Sequence, residues 1–326
     1  MGSALNGPSC SPGKRGRLTL VRGMVLGTKL NMVRKLFVTL RSVANHPLNR
    51  RRRLASMRDF CIAQVAARML PGDISVPFPN QTQLLISPRM KGAAHFISPG
   101  LFEYEVMAFA MHFLRAEDVF VDAGANVGAY MLLASGVAGA KSIAIEPSPV
   151  TFDYLRRNVL LNELATKVTT VHAALGRAEG KLRLTDNLGT ENYVCPESDH
   201  RPSVEVTVST LDDLLRDVTP TLIKIDVEGF EAEVLGGAEN TLGKSSLQAM
   251  IIERSGIAQR YGYDEAALHR HIRAMSFAPC AYVPSSRTLH RIPEESLGNI
   301  IYIRNLDAAK DRLRAAPAFR FAGVAI

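Results

Sequence analysis

The sequence predicts an α/β protein: a doubly wound sheet with helices on both faces, preceded by a basic, helical N-terminal extension. Three observations carry this reading. From residue 117 onward, short apolar, β-prone runs alternate with helix-spaced runs. A glycine turn, Gly124-Ala125-Asn126-Val127-Gly128, joins the first run to its helix. An acid stands at the end of four of the runs: Asp122, Glu146, Asp226 and Glu253.

The elements follow in order. Residues 1–31 are rich in Gly, Ser, Pro and basic residues and are expected to be disordered, with Met1, Met24 and Met32 all open as starts. Residues 32–70 alternate apolar and basic positions at helical spacing. Met32, Leu36 and Leu40 share one face, and Phe60, Val65 and Met69 share another. The pair His46-Pro47 breaks this stretch, because proline disfavours helix at the residue before it. Residues 71–116 form a cover segment with strands at Gln83–Ile86 and His95–Ile97 and a helix over 103–114; with 32–70 they make up the extension.

The catalytic domain is placed at 117–305. Its sheet has seven strands: Val119–Val121, Ser142–Ile145, Val168–His172, Leu222–Ile225, Ala249–Ile252, Pro279–Val283 and Asn299–Ile303. Helices are expected at Ala129–Ser135, Val150–Asn162, Thr210–Arg216, Phe230–Leu242 and Asp264–Met275. An extra strand pair, Lys181–Leu184 and Val204–Val208, is inserted after the third strand. Residues 306–326 read as an Ala/Arg-rich tail.

Composition bounds the function. With 326 residues, 47% hydrophobic and 21% charged, the chain can bury a sizeable core. The net charge of +8 is uneven: residues 1–70 hold fourteen Lys and Arg and one acid, Asp59. A basic leader on an acidic body suggests a surface-binding arm and no nucleic-acid partner; for residues 14–58 a solvated helix surface is the leading reading, and contact with an anionic membrane is the alternative to it. The four cysteines, Cys10, Cys61, Cys195 and Cys280, form no CxxC pair, so reduced thiols in the cytoplasm are expected, with peripheral contact at the inner membrane. No apolar run reaches the ~18 residues of a membrane span. Lys and Arg interrupt any secretory signal, and Asn6 replaces the Ser or Thr of a myristoylation start.

In a doubly wound sheet the four strand-end acids line one crevice. Any one of them alone is explained as a helix N-cap; four together point to a ligand. The glycine turn would bring backbone N–H groups and a helix N-terminus up to that ligand. An acid about 20 residues after such a turn can accept from ribose hydroxyls, which admits dinucleotides and S-adenosylmethionine. The turn lacks the second glycine of the dinucleotide fingerprint, and Asp122 is a poor neighbour for pyrophosphate. It suits the sulfonium and ammonium of S-adenosylmethionine.

The runs VDAGANVGAY, IEPSP, TLDDLL and IKIDVEGFEAEVLGGA resemble the FkbM family of S-adenosylmethionine-dependent methyltransferases. The resemblance covers residues 118–255 and, more weakly, 71–117. It implies a class I methyltransferase (Rossmann-like) fold and methyl transfer to a hydroxyl of a small-molecule or glycan-type acceptor, sugar, glycolipid or polyketide-like. It also implies site roles. Asp122, Gly124, Asn126 and Gly128 cradle the methionine end of the cofactor. Glu146, with Pro147 beside it, binds the ribose; Ala173, Ala174 and Leu175 border the adenine. Asp226, Glu228 and Gly229 lie where the acceptor meets the methyl group, and Glu253 is the acid of the fifth strand. No role follows for residues 95–100.

An alcohol acceptor needs its proton removed or held. Asp226 is the expected group, with Glu228 nearby and Lys224 steering charge, or else Asp226 positions the cofactor's amino group. No metal is expected, since D-x-E alone is weak spacing for one. His112 and His172 read as structural residues in apolar surroundings. Asn187, Thr190, Glu191, Asn192, Tyr193 and His200, in one long loop, are candidates for acceptor contact. The rival functions are an NAD-dependent oxidoreductase and a non-catalytic adaptor on the same fold.

Overall fold

A computed structural model describes residues 38–50, 52–69, 72–88, 90, 93–97, 101–186, 192–196, 199–293, 296–321 and 323–326. The expectations for residues 1–37 lie outside these. The chain divides into two compact units, one ending at Phe60 and one running Cys61–Ile326.

In the first unit a helical stretch, 38–45, stops at His46-Pro47. Pro47 opens a short helical turn, where the missing N–H of proline is harmless, and the His46 imidazole accepts from the Leu48 N–H at 3.3 Å. Helix α1 (Arg53–Met69) follows. Phe60 is buried while Leu54, Ile62, Val65 and Met69 are exposed. At 100° per residue Phe60 lies across the helix from Val65 and Met69, so the shared face expected for those three does not form.

The second unit starts with the hairpin β1 (Ile74–Pro77) and β2 (Gln83–Ile86). Residues Ala93–Ile97 are a helix, α2, and not the expected strand. Helix α3 (Tyr104–Phe113) is almost wholly buried. Then comes the alternation: β3 (Val119–Ala123), α4 (Ala129–Met131), β4 (Lys141–Ile145), α5 (Pro149–Leu161) and β5 (Val168–Val171). Beyond Met131, residues Leu132–Val137 widen into a π-type turn where a regular helix was expected. Strands β6 (Ala174–Leu175), β7 (Gly180–Thr185) and β8 (Ser203–Ser209) form a separate three-stranded sheet, order β6-β8-β7.

Helix α6 (Leu211–Leu214) leads to β9 (Leu222–Ile225). The single helix expected at Phe230–Leu242 is two, α7 (Glu231–Gly236) and α8 (Glu239–Gly243). The break falls at Gly237, where a Cβ would overlap the Gly176 carbonyl oxygen: the turn after β6 passes against bare backbone. Strand β10 (Ala249–Arg254), helix α9 (Glu265–Ala274), β11 (Ala278–Val283), β12 (Thr288–Arg291) and β13 (Gly298–Ile303) complete the main sheet.

That sheet runs β12-β11-β13-β10-β9-β3-β4-β5. It has eight strands, not seven, because β12 adds an antiparallel edge to β11. Strands β5, β4, β3, β9 and β10 are parallel. The chain leaves β3 first toward β4 and later toward β9, so the carboxyl ends of β3 and β9 flank the switch point where such sheets bind ligands. This is the class I, Rossmann-like methyltransferase architecture. Val121, Ala123, Ile223, Ile225, Met250 and Ile252 form its buried centre. The expected tail contains a helix, α10 (Leu306–Arg314), whose Arg312 donates to the Asp118 carboxylate and the Phe113 carbonyl. Two short strands, β14 (Arg320–Phe321) and β15 (Val324–Ala325), close the chain.

Candidate functional site

The glycine turn is built by its neighbours. The Gly124 and Ala125 N–H groups both donate to the Ile145 carbonyl, at 3.0 and 2.9 Å. The Asn126 N–H donates to Glu146 Oε2 at 2.9 Å, Val127 N–H to Asn126 Oδ1 at 2.8 Å, and Gly128 N–H to the Ala125 carbonyl at 2.8 Å. Every amide from 124 to 128 is therefore used inside the protein. The turn does not offer backbone donors to a ligand, contrary to expectation, and an anion cradle of the pyrophosphate kind is not available there.

Gly124 is required for two reasons. Its φ is +82°, and a Cβ would overlap the Asp226 carbonyl oxygen. The turn after β3 and the segment after β9 touch backbone to backbone. Gly128, at φ +95°, caps α4 and packs beneath Leu155 and Met131. It does not line the cavity, so its part is to shape the turn and not to meet a ligand.

A cavity of about 300 Å³ opens at the switch point. Asp122, Gly124, Asn126, Glu146, Pro147, Ala173, Ala174, Lys224, Asp226, Glu228 and Glu253 all line it. They come from five strands, β3, β4, β5, β9 and β10, and the segments after them. The cavity is acidic. Lys224 is the one cation among its described lining residues, against Glu103, Asp122, Glu146, Asp226, Glu228 and Glu253.

Asp122 and Lys224 face each other in register on β3 and β9. Asp122 is 1% exposed, and its carboxylate oxygens have no side-chain hydrogen-bond partner among the described residues, with the backbone of Met131 close to them. Burial pushes its carboxyl up to about 7, against the pull of Lys224 and with the push of Asp226 and Glu146. Lys224 donates to Asp226 Oδ2 at 2.6 Å and lies 4.7 Å from the Tyr130 ring centre. Burial alone would lower the Lys224 ammonium, but Asp226, Asp122 and Glu103 together hold it above its ordinary value. Both oxygens of Glu146 are engaged: Oε1 accepts from Ser148 N–H and Thr151 Oγ1, and Oε2 from Asn126 N–H, which leaves one acceptor site on Oε2. Burial still raises it above the usual carboxylate range.

Several lining residues escaped sequence reasoning. Phe96, Phe102 and Glu103 come from the cover segment, with the two rings in edge contact at 5.2 Å. Tyr130 donates to Glu103 Oε2 at 2.5 Å, tying the cover to the helix after the glycine turn. An acid set among aromatics, Phe102-Glu103-Tyr104, was the available signal. Glu231 was also missed. Its Oε1 accepts from the Val227 and Gly229 N–H groups at 3.2 and 3.1 Å and holds the turn that presents Glu228 at φ +55°.

Of the long-loop candidates, Asn192 and Tyr193 line the cavity. Asn187, Thr190 and Glu191 fall outside the described residues. His200 is exposed and does not line the cavity. His112 is buried, with Nδ1 2.7 Å from the Tyr282 hydroxyl, and burial pushes it down to about 4. His172 is exposed and stacks on Phe152 at 4.5 Å, which corrects its expected apolar surroundings. Among the described residues no group of three His, Cys, Asp or Glu is arranged to hold a metal ion.

The Methyltransferase FkbM domain model matches residues 122–283, from the carboxylate of β3 to the end of β11. Methyltransferase sdnD of Sordaria araneosa is 31% identical over 161 residues, covering 39% of this chain and 62% of that protein. Hexuronic acid methyltransferase AglP of Haloferax volcanii is 28% identical over 158 residues, covering 46% and 62%. Methyltransferase 1 of Beauveria bassiana is 30% identical over 183 residues, covering 47% and 71%. The chain thus spans 62% of the length of the first two of these relatives. The matched segment begins on the orphaned Asp122 and contains the glycine turn, Glu146 and the Lys224–Asp226 pair, and by it the chain belongs to the FkbM methyltransferase family.

Proposed function

We propose that the cavity binds S-adenosyl-L-methionine and that the protein is an O-methyltransferase acting on a hydroxyl of a small-molecule or glycan-type acceptor, a sugar foremost. The observation that carries this is Asp122: a buried carboxylate without a side-chain hydrogen bond, in a cavity where acids outnumber the one lysine they share. Such a group calls for a cation, which the sulfonium and ammonium supply. Glu146 stands where a ribose hydroxyl can donate to the acceptor site left on Oε2, with Pro147 beside it. Ala173 and Ala174 leave room for the adenine. Occupied turn amides count against NAD. The cofactor, when bound, supplies a methyl group already activated on sulfur. Asp226, fixed by Lys224, and Glu228 then meet the acceptor hydroxyl and hold it in line. The relative named a hexuronic acid methyltransferase supports a sugar acceptor.

Asp122→Asn is expected to weaken S-adenosylmethionine binding roughly 10- to 100-fold, the worth of a charge-assisted contact. Titration calorimetry measures it. Equal affinity in the variant, or thermal stabilisation by NAD alone, would sink the reading.

The basic segment 14–58 adds a second contact, with an anionic membrane surface. The exposed Leu54, Ile62, Val65 and Met69 on α1, with the exposed Arg53 and Arg58, support it. Among the described residues no helix is long and apolar enough to cross a membrane. The full chain should sediment with vesicles containing phosphatidylglycerol and not with pure phosphatidylcholine; equal behaviour on both would refute the contact.

A further inference from the structure

We infer that Glu253 is the residue that takes the proton from the acceptor hydroxyl as the methyl group is transferred. The inference rests on the reading of the cavity as a methyl-transfer site and assigns a step that reading leaves open.

Strands β9 and β10 are parallel neighbours with Ile225 opposite Ile252, so Glu253 stands beside Asp226 at the same end of the sheet. Glu253 lines the cavity, and its Oε2 is a buried oxygen without a hydrogen-bond partner among the described residues. The other carboxylates of known partnership are committed. Asp226 Oδ2 is held by Lys224 at 2.6 Å, and a proton arriving on Asp226 would undo the ion pair that neutralises this buried lysine. Both oxygens of Glu146 already accept hydrogen bonds. Glu103 Oε2 accepts from Tyr130. Asp122 also lacks a side-chain hydrogen bond, but it lies opposite Lys224 below the glycine turn, where the cofactor's cation would keep it ionised. Glu253 alone combines a spare buried oxygen with a place next to the acceptor end of the cavity.

The surroundings make it basic. Asp226, Glu228 and Glu231 face it with like charge and Lys224 with opposite charge, while Asn299 of β13 stands opposite in register. Burial first, and then those three carboxylates, push the Glu253 carboxyl up to about 8. A carboxylate with that affinity for a proton is a stronger base than an ordinary glutamate, and it titrates near working pH. The bookkeeping of the step is closed. The acceptor O–H bond breaks and its proton goes to Glu253 Oε2. The oxygen's electron pair forms the new O–CH₃ bond. The C–S bond breaks with its pair returning to sulfur, leaving a neutral thioether. Because the ionised form is the base, transfer should rise with pH as Glu253 loses its proton.

The test uses the full chain, S-adenosylmethionine carrying a labelled methyl group, and an extract of cells disrupted in this gene. Cofactor affinity is measured separately by calorimetry. Glu253→Gln is expected to bind the cofactor within about 3-fold of the unmodified protein, to lose roughly 100-fold or more in transfer rate, and to lose the rising limb of the pH profile. Asp226→Asn should keep that limb at a reduced rate. A Glu253→Gln enzyme with undiminished transfer, or a limb lost only in Asp226→Asn, overturns the inference while leaving the methyltransferase reading intact. No cofactor binding by the unmodified protein overturns that reading itself. A measurement independent of the acceptor stands beside these: with ¹³C-labelled glutamate, the carboxyl signals that titrate above the ordinary range should include Glu231 as well as Glu253, and the highest of them should vanish in Glu253→Gln. Absence of such a signal overturns the inference even if the extract yields no labelled product.

Discussion

Lys224→Met is expected to destabilise the protein by about 3–5 kcal/mol at pH 8, the loss that follows when a buried ion pair keeps only one partner. For a domain of this size that is a fall in Tm on the order of 10 °C. The loss should shrink as the solution is acidified. Asp122 has an ordinary value of 3.8 and is raised to about 7 in the folded protein. A raised carboxyl burdens the fold above its unfolded value: the burden grows as pH climbs from about 4 to about 7 and is constant beyond. Without Lys224 the folded value rises further and the burden lengthens. The deficit of the variant should therefore be largest at pH 8 and much reduced at pH 5.5. Melting curves at the two pH values decide the matter; a deficit that is equal at both, or absent, would show that Lys224 does not neutralise this cluster.

The second large effect is expected at Gly124. Gly124→Ala places a Cβ on the Asp226 carbonyl oxygen and forces φ +82° on a residue that resists it. The carboxyl ends of β3 and β9 must move apart, and with them Asp122 and Asp226. A loss of roughly 3 kcal/mol in stability, together with loss of S-adenosylmethionine binding, should follow. Gly180→Ala is the control, since a Cβ there meets open space in β7. Urea midpoints for both variants measure the difference. Near-equal midpoints would mean that the contact between the two turns does not hold the site.

Much of the site was legible because its signals are local. A strand ends, an acid follows, and the chain turns: Asp122, Glu146 and Asp226 each announce themselves within a few residues. The alternation of apolar runs gave the parallel strands, since a strand buried on both faces must be apolar throughout. The first strand was read as Val119–Val121 and is two residues longer, Val119–Ala123, so Asp122 lies within it. Glu253 likewise lies inside β10 and not after it. These are shifts of boundary, and neither moves a side chain to the wrong face.

What was not legible depends on partners far away in sequence. Glu103 joins the site only because Tyr130, 27 residues on, hydrogen-bonds to it. The helix break at Gly237 exists because Gly176 passes close by, 61 positions earlier in the numbering. The edge strand β12 is short and only one of its residues is buried, so its apolar pattern was too weak to read alone. Phe60 was grouped with Val65 and Met69 on loose spacing, although strict helical geometry separates them.

By itself, then, the sequence determined the fold class, the family resemblance and the set of carboxylates at the switch point, because period and short-range motif encode strands and their ends. Only the tertiary structure decided how those carboxylates divide their work. It consumed the turn amides of 124–128, left Asp122 without a side-chain hydrogen bond, tied Asp226 to Lys224 and left Glu253 with a spare oxygen. The physical reason is that the proton affinity and availability of a buried carboxylate are set by the charges and donors around it in space, and neighbours in the chain do not specify those.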